Sequence, residues 1–157
     1  TETGRAAAHS VIRRHMLTEW LLVSVFKMPL SETHNEAHNI EHAISTQLEE
    51  RMRDILGNPK VCPHGNPFPG HEQMTSQWIS LTDLPVGATV TIRRIHEFAE
   101  DNLELLRFLV ESGVVPGAPI LVADVMPFNQ TITIKVADKP LTLGFSSARF
   151  IFAVKAS

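Results

Sequence analysis

Residues 31–45 read SETHNEAHNIEHAIS, and the rest of the chain is arranged around them. The stretch is expected to form one helix, with Ser31 as its N-cap. Ala37, Ile40, Ala43 and Ile44 supply its packing side, and Asn35, Glu36 and Asn39 its polar side. At about 100° per residue, Glu41 sits roughly 20° to one side of His34, His38 about 40° to the other, and His42 about 80°. His34, His38, Glu41 and His42 therefore share a stripe, and Glu36 falls opposite. Neutral imidazoles combined with a carboxylate suit borderline divalent metals: zinc, manganese, iron, cobalt or nickel.

A second pair lies upstream. Ala7, Ala8, Val11, Ile12, Leu21, Leu22 and Val25 follow helical spacing, and the expected helix runs from Gly4 to Met28, ended by Pro29. His15 and Glu19 are four residues apart within it and share a face. A site bridging two helices needs this arrangement. A third helix is expected from about Ser45, with Leu48, Met52, Ile55 and Leu56 as its apolar stripe and Gly57 as its stop. That stripe, or the apolar face of the first helix, is expected to meet a second subunit, because three helices with few aromatics bury only a small core. Residues 58–70, NPKVCPHGNPFPG, form a loop by composition. Within it Cys62 and His64 are either a ligand pair or incidental residues of a rigid turn.

The bulk properties exclude several classes. The net charge of −3 with neutral histidines gives no electrostatic reason for phosphate binding. One cysteine rules out an internal disulfide and fits a reducing, cytoplasmic setting. No apolar run approaches the roughly 20 residues of a membrane span. Seven of the eight histidines precede residue 72, so the two halves differ in kind.

The second half changes period. Residues 73–83 read as a linker or a first edge strand, docked by Trp78 and Ile79. Ala88–Ile95 alternates as a half-buried strand. Asp101–Ser112 is expected to be one helix, with Asp101 as a plausible N-cap. Pro119–Val125, Thr131–Val136, Leu141–Gly144 and Phe150–Val154 complete five short strands around that helix, which argues for a small, partly open barrel. The fold class is therefore α+β: helices over residues 1–72, then a β domain over 84–157.

The order RRHMLTEWLL, HNEAHNIEHAIS, GNPKVCPHGNPFPG and then LPVGATVTI and ESGVVPGAPI resembles the diphtheria-toxin-repressor family of metal-dependent transcriptional regulators. The resemblance implies a helical dimerisation and metal-binding domain followed by an SH3-like domain of the ferrous-iron-transport-A type. It also implies a preceding winged helix-turn-helix. TETGR at residues 1–5 is similar to the end of that domain's wing, so operator binding is expected to lie outside this chain. By the resemblance, an ancillary metal site takes His15, Glu19 and His34, completed by Asp101 and Glu104 from the barrel domain, with Glu100 as an alternative. A primary site takes His38, Glu41 and His42, with Cys62 approaching it. The family's residue at the first of these positions is usually cysteine or glutamate, where this chain has His38. The cofactor implied is a divalent transition metal at two sites per subunit: manganese or iron in the cell, zinc, cobalt or nickel in vitro. The implied partner is a second copy, joined through the helical domain.

Two other readings compete with a cytoplasmic, non-enzymatic metal sensor. His38, Glu41 and His42 match the H-x-x-E-H pattern of inverted zinc hydrolases, in which the glutamate is a general base. That class needs a larger chain and a distal acidic ligand, and it leaves His15, Glu19 and His34 unexplained. The other reading is a structural or partner-binding helical dimer whose histidines are merely solvated.

Overall fold

The computed structural model describes residues 1–155, which divide into two compact units, Thr1–Ser76 and the chain from Gln77 onward. The first unit is helical. Helix α1 spans Glu2–Ser24 and is capped by the Thr1 side chain, which accepts a hydrogen bond from the Gly4 amide. It stops before the expected Met28. Lys27 takes a left-handed conformation (φ 55°), and the Met28 amide turns back to the Leu22 carbonyl. This closes the helix end as a Schellman-like turn does.

Helix α2 spans Leu30–Ile40, with Pro29 at its N-cap rather than Ser31. It does not continue through residue 45. Glu41–Ala43 tightens into a 3-10 turn, and Ile44 becomes extended. The 3-10 turn advances about 120° per residue instead of about 100°, so spacing beyond Ile40 no longer follows the α-helical stripe. Helix α3, Thr46–Ile55, is capped by the Ser45 hydroxyl.

The core of this unit gathers Met16 and Leu17 from α1, Ile44, Met52 from α3, and Cys62 and Phe68 from the following loop. Trp20 packs against it and donates from Nε1 to the Val61 carbonyl at 2.7 Å, tying the loop to α1. The loop is a tight reversal. The Cys62 amide donates to Asn66 O at 2.8 Å and the Gly65 amide to Cys62 O at 2.9 Å, with Gly65 at φ 90°. The expected α3 stripe divides: Met52 is buried, while Leu48 and Ile55 face outward at 49% and 77% exposure.

The second unit is an antiparallel sheet of six strands: β1 (Ile79–Ser80), β2 (Thr89–Ile95), β3 (Pro119–Met126), β4 (Thr131–Val136), β5 (Lys139–Gly144) and β6 (Ile151–Lys155). Their order is β1-β6-β2-β3-β4-β5, with β1 and β5 as the outer strands. Register shifts between Ile92 and Arg94 and between Val122 and Asp124 mark bulges, which bend the strands and let the sheet curl over its core. The inward residues alternate on either side of the bulges: Val90 and Ile92 on β2, with Ile95 inward again past the bulge, Ile120 and Val122 on β3, and Ile132, Ile134 and Val136 on β4.

The expected helix over Asp101–Ser112 is two helices: α4 (Glu97–Glu100) and α5 (Leu103–Glu111). Asn102, not Asp101, is the N-cap of α5; its Oδ1 accepts from the Leu105 amide at 3.1 Å. Asp101 instead ends α4. Leu106 and Leu109 of α5 enter the sheet's core, and a short α6 (Phe145–Ala148) leads into β6.

Candidate metal centre

The centre of the first unit's polar chemistry is Glu19. Its position on α1 buries it completely beside the core, one turn beyond His15. Glu19 Oε1 lies 3.2 Å from His15 Nε2, 3.3 Å from His34 Nδ1 and 3.3 Å from His64 Nδ1. His15 Nε2 and His34 Nδ1 are themselves 3.1 Å apart. Glu19 Oε1, His15 Nε2 and His34 Nδ1 thus form a nearly equilateral triangle of donor atoms.

That spacing has a chemical reading. With donor–metal distances of about 2.1 Å, neighbouring donors lie about 3.0 Å apart in an octahedron and about 3.4 Å in a tetrahedron. The triangle has the dimensions of one face of either polyhedron. Glu19 Oε2 has no hydrogen-bond partner among the described residues although it is buried. A buried carboxylate oxygen left without a donor is costly, and a cation is one group that relieves it. The residues therefore fit a divalent transition metal.

His34 and His15 extend the cluster toward His38. The rings of His15, His34 and His38 have centroids 4.6 to 4.8 Å apart, and their candidate ligand atoms lie within 4.8 Å of one another. A second group converges on the other side of Glu19. Glu19, Cys62 and His64 are all buried, with candidate ligand atoms again within 4.8 Å. His64 Nε2 lies 3.0 Å from the Leu30 carbonyl and donates to it, so Nδ1 is the nitrogen turned to Glu19. Cys62 thus stands with Glu19 and His64, not with His38, Glu41 and His42.

The grouping expected of His38, Glu41 and His42 is redistributed by the helix break after Ile40. Glu41 is turned inward and buried, with Oε2 2.7 Å from His15 Nδ1 and 3.5 Å from His38 Nδ1. Its Oε1 lies 3.3 Å from His42 Nε2. The His42 side chain is 75% exposed, and His42 joins no cluster of three potential ligands among the described residues. Asp101 and Glu104 belong to the second unit, exposed at the end of α4 and in the first turn of α5, and Glu100 lies within α4. His64 is the functional candidate left undecided by sequence. Its signal was the Cys62–His64 spacing, which a rigid turn explains equally well.

The electrostatics follow from this crowding. Burial pushes the Glu19 carboxyl up, but the close approach of the His15, His34 and His64 rings prevails and holds it well below its ordinary 4.5. Burial also pulls the His15 ring down. Its bonds to Glu19 and Glu41 outweigh that and raise it above its ordinary 6.5.

Comparison with known proteins places the chain in a family. Residues 1–70 match the iron dependent repressor, metal binding and dimerisation domain, and residues 79–155 match the FeoA domain. The chain is 35% identical over 162 residues to the iron-dependent repressor IdeR of Mycobacterium leprae, covering 96% of this chain and 70% of that protein. It is 36% identical over 136 residues to the diphtheria toxin repressor of Corynebacterium diphtheriae, covering 79% of this chain and 59% of that one. A solved manganese-dependent transcriptional repressor, in complex with manganese, matches with a TM-score of 0.84 at 31% identity, covering 99% of this chain and 74% of its own. No helix among the described residues is long and apolar enough to cross a membrane. The chain belongs to the IdeR and diphtheria-toxin-repressor family of metal-dependent transcriptional repressors, a non-enzymatic family, and carries its metal-binding and dimerisation portion followed by an SH3-like FeoA domain.

Proposed function

We propose that this chain senses a divalent transition metal for a dimeric repressor of metal homeostasis in the cytoplasm. The observation that carries the reading is the donor triangle of His15, Glu19 and His34, with Glu19 Oε2 buried and without a donor. His15 and Glu19 come from α1, His34 from α2, and Cys62 and His64 from the loop after α3. A bound cation supplies the positive charge that ring protons supply in its absence. The three segments offer their donors together only in one packing arrangement. Cation binding therefore favours that arrangement by population shift, and no chemical step is needed.

The second of two sites per subunit is assigned to His38, Glu41 and His42, supported by the approach of both rings to the Glu41 carboxylate. Iron or manganese is the metal in the cell, as the names of the IdeR relatives and the manganese-dependent repressor suggest. Nitrogen-rich donors also accept zinc, cobalt or nickel in vitro. The partner is a second copy of the chain, meeting it through the helical unit, whose Ile12, Leu48 and Ile55 are exposed. Operator binding is assigned to a winged helix-turn-helix, which the described residues do not contain.

The test is thermal unfolding of the purified chain with and without metal. Metal at about a hundredfold its dissociation constant should stabilise the first unit by about 2.7 kcal/mol. Glu19→Ala should remove most of that gain. An unchanged melting temperature with manganese, iron, cobalt, nickel and zinc alike would overturn the reading.

A further inference from the structure

The end of α2 raises a question that ligand spacing does not answer. Glu41 follows the last α-helical residue, Ile40, and the 3-10 turn rolls its carboxylate into the protein. There its shortest contact is not with His38 or His42 on its own segment. It is with His15 Nδ1 on α1, at 2.7 Å. His15 uses its other nitrogen, Nε2, for the triangle with Glu19 and His34. A neutral imidazole carries one proton, so His15 must place it either toward Glu41 or toward Glu19. The contact at 2.7 Å is the better-formed hydrogen bond; the alternative is 3.2 Å.

We propose that Glu41 is a positioning residue for the His15–Glu19–His34 site: by accepting Nδ1–H from His15, it holds the Nε2 lone pair toward the donor triangle. This inference rests on the metal-sensing reading above. A carboxylate behind a ligand histidine fixes the ring's tautomer and orientation and raises its basicity. Glu41 is suited to the task because it is buried, so the bond is little weakened by water. Its other oxygen, Oε1, faces His42. One carboxylate therefore touches both proposed sites. A change at the His42 side that turned Glu41 would also loosen His15, which gives the two sites a physical link.

The experiment separates positioning from ligation by comparing Glu41→Gln with Glu41→Ala in the full chain. A glutamine oxygen still accepts Nδ1–H but is a poor metal ligand; alanine does neither. The His15 tautomer is read from ring nitrogen shifts in metal-free protein, in alkaline buffer where the ring is neutral. Zinc affinity is read through the His34 ring resonances in a His42→Ala background, which removes a ligand of the second site, because the His38 ring of that site lies 4.7 Å from His34. We expect the Nδ1–H tautomer in the parent and in Glu41→Gln, and mixed tautomers in Glu41→Ala. Zinc affinity at His34 should fall about 10- to 100-fold in Glu41→Ala and by clearly less in Glu41→Gln, which keeps the acceptor for Nδ1–H. An Nε2–H tautomer in the parent would overturn the proposal, as would equal losses of affinity in both variants. If the parent shows the Nδ1–H tautomer but zinc does not move the His34 resonances, the metal-sensing reading fails and the positioning role falls with it.

Discussion

Glu19 and His15 titrate against each other, and the direction of each shift sets a stability window. The Glu19 value is depressed on folding, so its interactions are present above about pH 4.5 and are lost as pH falls through the folded value. The His15 value is raised on folding, so its contribution is complete below about pH 6.5 and is lost as pH rises through the folded value. Both shifts describe one network and are not added. The metal-free first unit should therefore be most stable between those limits, in mildly acidic solution. Metal competes with ring protons, so its stabilising effect should grow from pH 5 to pH 8. Denaturant unfolding of the metal-free and zinc-loaded chain across this range checks both trends. Zinc stabilisation that diminished toward pH 8 would contradict the use of imidazole nitrogens as ligands.

At the scale of elements, the metal centre needs α1 held in register with its neighbours, and Glu49 on α3 does part of this. Its Oε1 accepts from Arg13 Nε at 3.0 Å and its Oε2 from Arg14 Nε at 2.9 Å, both on α1. Burial works against the ionised Glu49, but the two guanidinium groups hold its carboxyl below the ordinary 4.5. Glu49→Gln should cost about 1–2 kcal/mol at pH 7, since one guanidinium would then face an amide nitrogen. The shift is downward, so the parent's advantage is present above about pH 4.5 and shrinks as pH falls through the folded value. Urea titrations at pH 7 and pH 3 measure the difference. The helix ends illustrate a second point at this scale. Caps formed by local side chains, such as Ser45 and Asn102, stop or start helices where the chain's own hydrogen bonds demand. Ser45 was legible as the start of α3, whereas Asn102 displaced Asp101 by a single residue.

At the scale of the molecule, the two compact units have separate hydrophobic cores. Leu106, completely buried in the sheet's core, belongs only to the second. Leu106→Ala should cost that unit about 2–5 kcal/mol through lost burial and a cavity. Zinc binding by His15, Glu19 and His34 should survive the substitution. Calorimetric titration of the variant, below the temperature at which its second unit melts, gives the result. Loss of zinc binding together with the second unit's stability would mean that the helical unit cannot hold its ligands alone.

Local sequence was enough for whatever repeats along a single element. The four-residue step from His15 to Glu19 and the alternation that opens β2, through Val90 and Ile92, are consequences of helical and strand periods, which neighbouring residues enforce. The α+β order of a helical half and a sheet half was legible for the same reason, as was the donor chemistry. Only tertiary structure decided where α2 ends, that Glu41 turns toward α1 while His42 faces outward, and that Cys62 and His64 reach Glu19. These depend on contacts between residues 26 to 45 positions apart: Glu41 with His15, and His64 with Glu19. Spacing within one segment carries no information about which distant segment packs against it, because that choice is made by the whole core as it closes.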